Sequence, residues 1–203
     1  MASDRLILGF DTSAAHCAAA LLSGDRVIAE TTETMTRGQA ERLMPMLEET
    51  LAAGGTGWRD LTALGVGVGP GNFTGIRIAV SAARGLALGL EIPAVGVSSC
   101  EARALAAPPE TLVAVPAPRE QVYLCDPTDP SALPRLMPMT EAIRTAHDLN
   151  RQVFSETEPR ALARAIARIA AQRWNSATET PAPLYVRPAD AAPSSDTPPR
   201  LLD

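Results

Sequence analysis

The chain has 203 residues, 46% hydrophobic and 20% charged, with a formal net charge of −5. That balance fits a globular protein with a real core, in one domain or two small ones. A net negative chain is poorly suited to holding a polyanion by itself, because nucleic-acid affinity rests on clustered cations that neutralise phosphates. Every cation is Arg, so the P-loop, Schiff-base and kinase lysines are all absent.

In chain order, Arg5 to Phe10, Ala18 to Leu22 and Arg26 to Thr31 read as three strands, the last two joined by a hairpin turn at Ser23-Gly-Asp25. The opening Met-Ala-Ser-Asp-Arg lacks the charged start, apolar stretch and cleavage site of a secretory signal, so the expected compartment is the cytoplasm. Thr36-Arg-Gly-Gln39 has the form of a capping box. It opens an amphipathic helix with Ala40, Leu43, Met44, Leu47 and Leu51 at helical spacing, in which Pro45 should introduce a kink. Gly54-Gly-Thr-Gly57 ends that helix, and Ala63 to Val68 is an apolar strand. A glycine loop then leads into a second helix from about Thr74 to Leu90, followed by a strand from Ile92 to Val97.

The texture changes near residues 107 to 110. Prolines punctuate short strands at Thr111 to Val115, Gln121 to Cys125 and Arg135 to Met137, and Pro159 to Trp174 is the one long helix of this half. The expected division is therefore residues 1–108 and 109–203. Beyond Asn175 the chain is rich in Pro, Ala, Ser and Thr, apart from Leu184-Tyr-Val-Arg187, and its last dozen residues read as extended or disordered. The apolar runs are short and interrupted by Arg, Glu or Gly, so no membrane span is expected. Cys17, Cys100 and Cys125 are odd in number and widely spaced, so they read as small core residues rather than a disulfide frame or a zinc site.

All fourteen glycines lie at or before Gly96, most densely in Gly65-Val-Gly-Val-Gly-Pro-Gly-Asn-Phe-Thr-Gly75. Such a loop either packs tightly or holds an anion on the free amides of the helix that follows, and Gly69, Gly71, Asn72, Thr74 and Gly75 are its candidate residues. Asp11-Thr12-Ser13, directly after the first strand, has the form of a phosphate-facing turn, although Asx and Ser/Thr turns look the same. An ATPase that closes on nucleotide between two lobes needs glycine turns in both, and the second half has none. His16 and His147 are the only histidines; no metal-ligand spacing and no Gly-x-Ser-x-Gly elbow is present. No catalytic residue and no metal site is expected.

The second helix carries a row of small residues at spacing four, Gly75, Ala79, Ala83 and Ala87, beside a second row, Ser81, Gly85 and Gly89. Arg77 and Arg84 are its only charges and share one stripe. One reading is a helix packed on its own sheet with two snorkelling arginines. The other adds a partner: Leu43 and Leu47 of the first helix, with Ile76, Arg77, Val80, Ala83, Arg84 and Ala87 of the second, would meet the same helices of another subunit in a four-helix contact.

Five segments in order, Ile7-Leu-Gly-Phe-Asp-Thr-Ser13, Glu41-Arg-Leu-Met-Pro-Met-Leu47, Gly69-Pro-Gly-Asn-Phe-Thr-Gly-Ile-Arg77, Gly85-Leu-Ala-Leu-Gly89 and Val95-Gly-Val-Ser98, resemble the TsaB (YeaZ) family of tRNA threonylcarbamoyladenosine biosynthesis. The likeness runs from about residue 6 to 105, continues weakly through Gln121-Val-Tyr123 and returns at Tyr185-Val-Arg-Pro-Ala-Asp190. It implies an α/β fold of the actin-like, Hsp70-like kind, with two lobes of which the second is reduced. It also implies a non-catalytic subunit that pairs with a TsaD-like transferase and a TsaE-like ATPase. That subunit would meet tRNA only through the complex, and ATP or ADP only at a composite interface. Gln39, Asn72, Pro116 and Pro118 depart from the family pattern, the last two removing a carboxylate and a guanidinium from the face between the lobes. Two further readings are a small-molecule kinase of the same superfamily, with Asp11 as metal anchor, and a homodimeric scaffold using the same helix surface.

Overall fold

The computed structural model describes residues 5–129, 131–155, 158–176 and 179–186. The extended or disordered ending expected for the last dozen residues lies outside them. Two mixed sheets form the frame of an α/β fold in two lobes.

In the first sheet, β1 (Leu6–Asp11), β2 (His16–Ser23) and β3 (Arg26–Thr34) form an antiparallel meander, with β4 (Ala63–Gly67) and β5 (Ala94–Val97) parallel to β1 on its other side. The meander turns at Gly24, where φ is 58° and a side chain would be strained. Alternation along the strands divides the residues between two faces. Leu8, Phe10, Leu21, Leu64 and Val66 meet α1 (Gln39–Ala53) and α2 (Phe73–Leu90). Ile7, Leu22, Ala63, Val95 and Val97 meet α5 (Pro159–Arg173) and Ala102 of the short α3 (Ser99–Ala104).

The second sheet has the order β8 (Arg135–Pro138), β7 (Gln121–Cys125), β6 (Thr111–Ala117), β9 (Gln152–Phe154). One face, with Leu112, Val122 and Leu124, is covered by Ala142 and Ala146 of α4 (Met139–Asp148). The other, with Val113, Val115, Tyr123 and Cys125, looks toward α3.

Several expectations are corrected. The capping box at Thr36 does not form: Gly38 caps α1, with φ at 87° and no side-chain hydrogen bond. α3, α4 and β9 were not anticipated, although Ser98 and Glu101 make a reciprocal capping box that marks the start of α3 in the sequence. Cys100 and Cys125 are bonded to each other, and only Cys17 is a free core cysteine, because the fold brings two distant residues to a Cα separation of 6.0 Å. α2 is also long and apolar enough, by length and composition, to cross a membrane; here its apolar side lies on the first sheet. Finally, α5 belongs to the second half of the sequence but packs on the first sheet.

That packing is close because the strands carry glycine beneath the helix. A Cβ on Gly9 would come within 2.6 Å of the Ala167 backbone nitrogen, and one on Gly65 within 2.8 Å of the Ala170 Cβ. Gly65→Val is expected to push α5 off the sheet and lower stability by about 3 kcal/mol, which urea unfolding would measure.

The second sheet is tied at its end by Arg151, which donates to the Asp126 carboxylate (2.7 Å) and to the Thr111 carbonyl (3.0 Å). The guanidinium holds the Asp126 carboxyl down at about 2, from an ordinary 3.8. A lowered folded-state pKa contributes stability that is complete above the unfolded value and lost as pH falls through the folded one. With the carboxylate 31% exposed, solvent screening reduces this to about 1 kcal/mol. Between pH 4 and pH 2, Asp126→Asn should therefore lose less stability than the parent, read from paired thermal melts.

Candidate functional site: a cleft and a helix face

The glycine loop is seated on the turn after β1 by backbone contact. Asn72 N–H donates to the Ser13 carbonyl (2.7 Å), and the Thr12 hydroxyl donates to the Gly75 carbonyl (2.6 Å). A Cβ at Gly71 would lie 2.4 Å from the Ser13 oxygen, and one at Gly75 only 1.9 Å from the Thr12 oxygen. Both glycines are needed for close approach. The positive φ lies instead at Gly69 (92°). Asn72 then caps α2, its side-chain oxygen accepting from the Gly75 N–H (2.8 Å), as Ser or Asp would.

Asp11 is sealed behind this seam at 0% exposure. Its Oδ2 accepts from the backbone and hydroxyl of Ser13 (3.0 and 2.9 Å) and lies 2.7 Å from His16 Nε2. Gly67 closes over Oδ1, where a Cβ would be 1.9 Å away. Oδ2 thus holds its own turn together, while Oδ1 is buried without a hydrogen-bond partner among the described residues. Among the described residues, no three His, Cys, Asp or Glu gather to hold a metal.

In front of the seam lies a cleft of about 920 Å³. Ser13, Gly71 and Asn72 reach it from the first lobe, Pro116, Pro118 and Tyr123 from the second, and Gln39 from the start of α1. Among the described residues, no Asp or Glu lines it. Asp11, Thr12, Gly69, Thr74 and Gly75 stand outside its lining and serve the loop.

The C-terminal segment at Leu184 and Tyr185, where the family likeness returns, closes one side. Leu184 N–H donates to the Val68 carbonyl (2.8 Å), and the Tyr185 ring packs on Phe73 with centroids 4.8 Å apart. Arg77 Nε donates to the Tyr185 hydroxyl (2.8 Å) while its guanidinium sits 3.8 Å above the Phe73 ring. Cation–π attraction and one hydrogen bond thus orient an exposed arginine.

The helix surface must be redrawn. Leu43, Leu47, Ile76, Val80 and Ala83 are all 3% exposed or less and pack under the two helices against the sheet. Helical spacing found an apolar face; the sheet occupies it. Ala87 is half-buried at the edge, and Gly75 and Ala79 of the first small-residue row also face inward. The outward face of α2 carries Arg77, Ser81, Arg84, Gly85, Gly89 and Leu88, the last 82% exposed, beside Ala40 and Met44 of α1. Arg84 has no hydrogen-bond or ion-pair partner among the described residues.

The family model of TsaD, tRNA N6-adenosine threonylcarbamoyltransferase, matches residues 26–187. The tRNA threonylcarbamoyladenosine biosynthesis protein TsaB of Escherichia coli is 43% identical over 93 residues, covering 46% of this chain and 40% of that protein. The chain belongs to this family, in its TsaB (YeaZ) branch. A Pseudomonas aeruginosa structure described as similar to peptidase YEAZ superposes with a TM-score of 0.72 at 25% identity, over 90% of this chain and all of that one. The activator of 2-hydroxyisocaproyl-CoA dehydratase from Clostridium difficile, with bound ADPNP, has a TM-score of 0.53 at 12% identity, over 84% and 96% of the two chains, and shares the fold. The matched segment thus spans less than half the length of the E. coli TsaB.

Two glycine-to-alanine substitutions on α2 should have opposite signs. Gly75→Ala drives a methyl into the Thr12 carbonyl and should cost several kcal/mol, on the order of an overpacked core. Gly85→Ala meets open space inside an exposed helix and should stabilise by up to about 1 kcal/mol. Denaturant melts of the two variants compare them directly.

Proposed function

We propose that this chain is the non-catalytic subunit that pairs with a TsaD-like transferase, together with a TsaE-like ATPase, for threonylcarbamoylation of the tRNA adenosine beside the anticodon. The reading draws on family membership and on the names of the relatives. One structural observation carries it furthest: α2 turns to solvent a face with two arginines, two glycines and Leu88, none of it needed by its own sheet. Glycines at spacing four let a second helix approach closely, and the Arg84 guanidinium, without a partner among the described residues, gives such a contact its register.

The sealed Asp11 and the absence of carboxylates from the cleft lining among the described residues support a subunit without phosphoryl chemistry of its own, since a magnesium-bound nucleotide needs carboxylate ligands. ATP or ADP then binds only where a partner completes the cleft, with Phe73, Tyr185 and Arg77 offering it aromatic faces and a cation. The small-molecule kinase reading loses its metal anchor. tRNA is met through the assembled complex in the cytoplasm, because a chain of charge −5 repels phosphates. A second copy of the chain is the alternative occupant of the α2 face, since a two-fold pairing of the same helices uses the same residues.

Arg84→Glu tests the assignment without touching the core. Co-purification with the TsaD-like subunit of its own organism should fall at least tenfold, with an unchanged melting temperature, and tRNA modification in a reconstituted mixture should fall in parallel. Full association by the variant would overturn the docking face. Modification that proceeds equally well without this chain would overturn the role itself. Light scattering of the isolated chain decides whether a homodimer occupies the face at rest.

A further inference from the structure

α3 is the joint between the lobes. It packs on α5, which belongs to the first sheet, and on β6 of the second. From this joint Cys100 is bonded to Cys125 at the end of β7, so a covalent link runs from the first-lobe side of the molecule to the second sheet. The link sits in the cluster of Val113, Val115, Tyr123 and Cys125, on the side of the second sheet that faces the first lobe. Tyr123 belongs to that cluster and also lines the cleft, and Val186 of the C-terminal segment packs on it as well. Whatever moves this cluster relative to α3 moves one wall of the cleft relative to Phe73 and Arg77.

We propose that Cys100–Cys125 is a reversible thiol–disulfide lock on the cleft, exchanged with low-molecular-weight thiols. Cys100 is half-buried and Cys125 only 7% exposed, so attack falls on Cys100, the more accessible residue of the two. A thiolate of the small thiol attacks Cys100 Sγ, the Cys100–Cys125 bond breaks, and Cys125 leaves as a thiolate that takes up a proton. A second small thiol, as its thiolate, attacks its own sulfur in the mixed disulfide and expels Cys100. The protein disulfide is reduced to two thiols as two small thiols become one small disulfide; the reverse sequence closes the lock. Cys17 takes no part: it is 0% exposed, and burial, the largest of its perturbations, contributes to a pKa raised to about 11. The closed lock holds α3 against β7 and the cleft in its present width. The open one leaves the joint to non-covalent contacts: apolar packing, the Glu101–Arg173 ion pair with α5 (2.7 Å) and the Arg103 hydrogen bond to the Ser155 carbonyl (3.4 Å).

The test equilibrates the full chain at pH 7 in buffers ranging from reduced to oxidised glutathione, then denatures it and alkylates it with N-ethylmaleimide. The oxidised end should show one alkyl group, on Cys17, and the reduced end three. Hydrogen exchange on the undenatured protein should be at least tenfold slower over residues 99–104 and 121–125 in the oxidised buffer. Cys100→Ser and Cys125→Ser should exchange at the reduced rate in both. One alkyl group in every buffer, three in every buffer, a stable glutathione adduct in place of the internal bond, or equal exchange rates in the two buffers would each overturn the proposal. Should a serine variant fail to fold, the parent chain in the two buffers still decides.

Discussion

The backbone-to-backbone seam between the Asp11–Ser13 turn and the glycine loop is the contact on which the rest of this molecule depends. Carbonyls of residues 12 and 13 occupy the space where side chains of residues 75 and 71 would otherwise stand. Because this approach is measured in tenths of an ångström, it fixes where α2 begins and which way it points. Everything of functional interest hangs on that helix: Asn72 and Phe73 at the mouth of the cleft, Arg77 on its rim, and Arg84 and Leu88 on the outward face. The seam also explains why the carboxylate after the first strand is shut off from the cleft. Its lone pairs are directed at Ser13 and His16, and glycine 67 closes over the remaining oxygen.

A second constraint is that the chain does not build its lobes one after the other. α5 returns from the second half to cover the back of the first sheet, through glycine on the strand side and alanine on the helix side. The first sheet is therefore buried on both faces, whereas the second is covered on one face by α4 and shares the other with α3 and the C-terminal segment. The cleft between them inherits one firm wall and one that rests on a short helix. This asymmetry makes the joint at α3 the place where a single covalent bond has the most leverage.

Much of the first lobe was legible in the sequence because local signals agreed with the tertiary outcome. The meander, the turn at Gly24, the two amphipathic helices and the glycine loop each carry their own period or turn chemistry. The second lobe was less so. α4 has only Ala142 and Ala146 as buried positions, a stripe too narrow to stand out. β9 has three residues and forms because β6 offers it an edge. α3 carries its own start signal in the Ser98–Glu101 capping box, but at six residues it is too short to show a helical period.

The sequence by itself determined the fold class, the family and the presence of a helix with small residues and two arginines, since these rest on period, composition and short motifs. It could not say which side of that helix faces outward. Two rows of small residues at spacing four are equivalent along an isolated helix, and only the sheet beneath distinguishes them by burying Gly75, Ala79 and Ala83 and leaving Gly85 and Gly89 in solvent. The sealing of Asp11 and the pairing of Cys100 with Cys125 were likewise decided in three dimensions. Each joins residues far apart in the chain, and distance along a sequence carries no information about distance in space until strands and helices have packed.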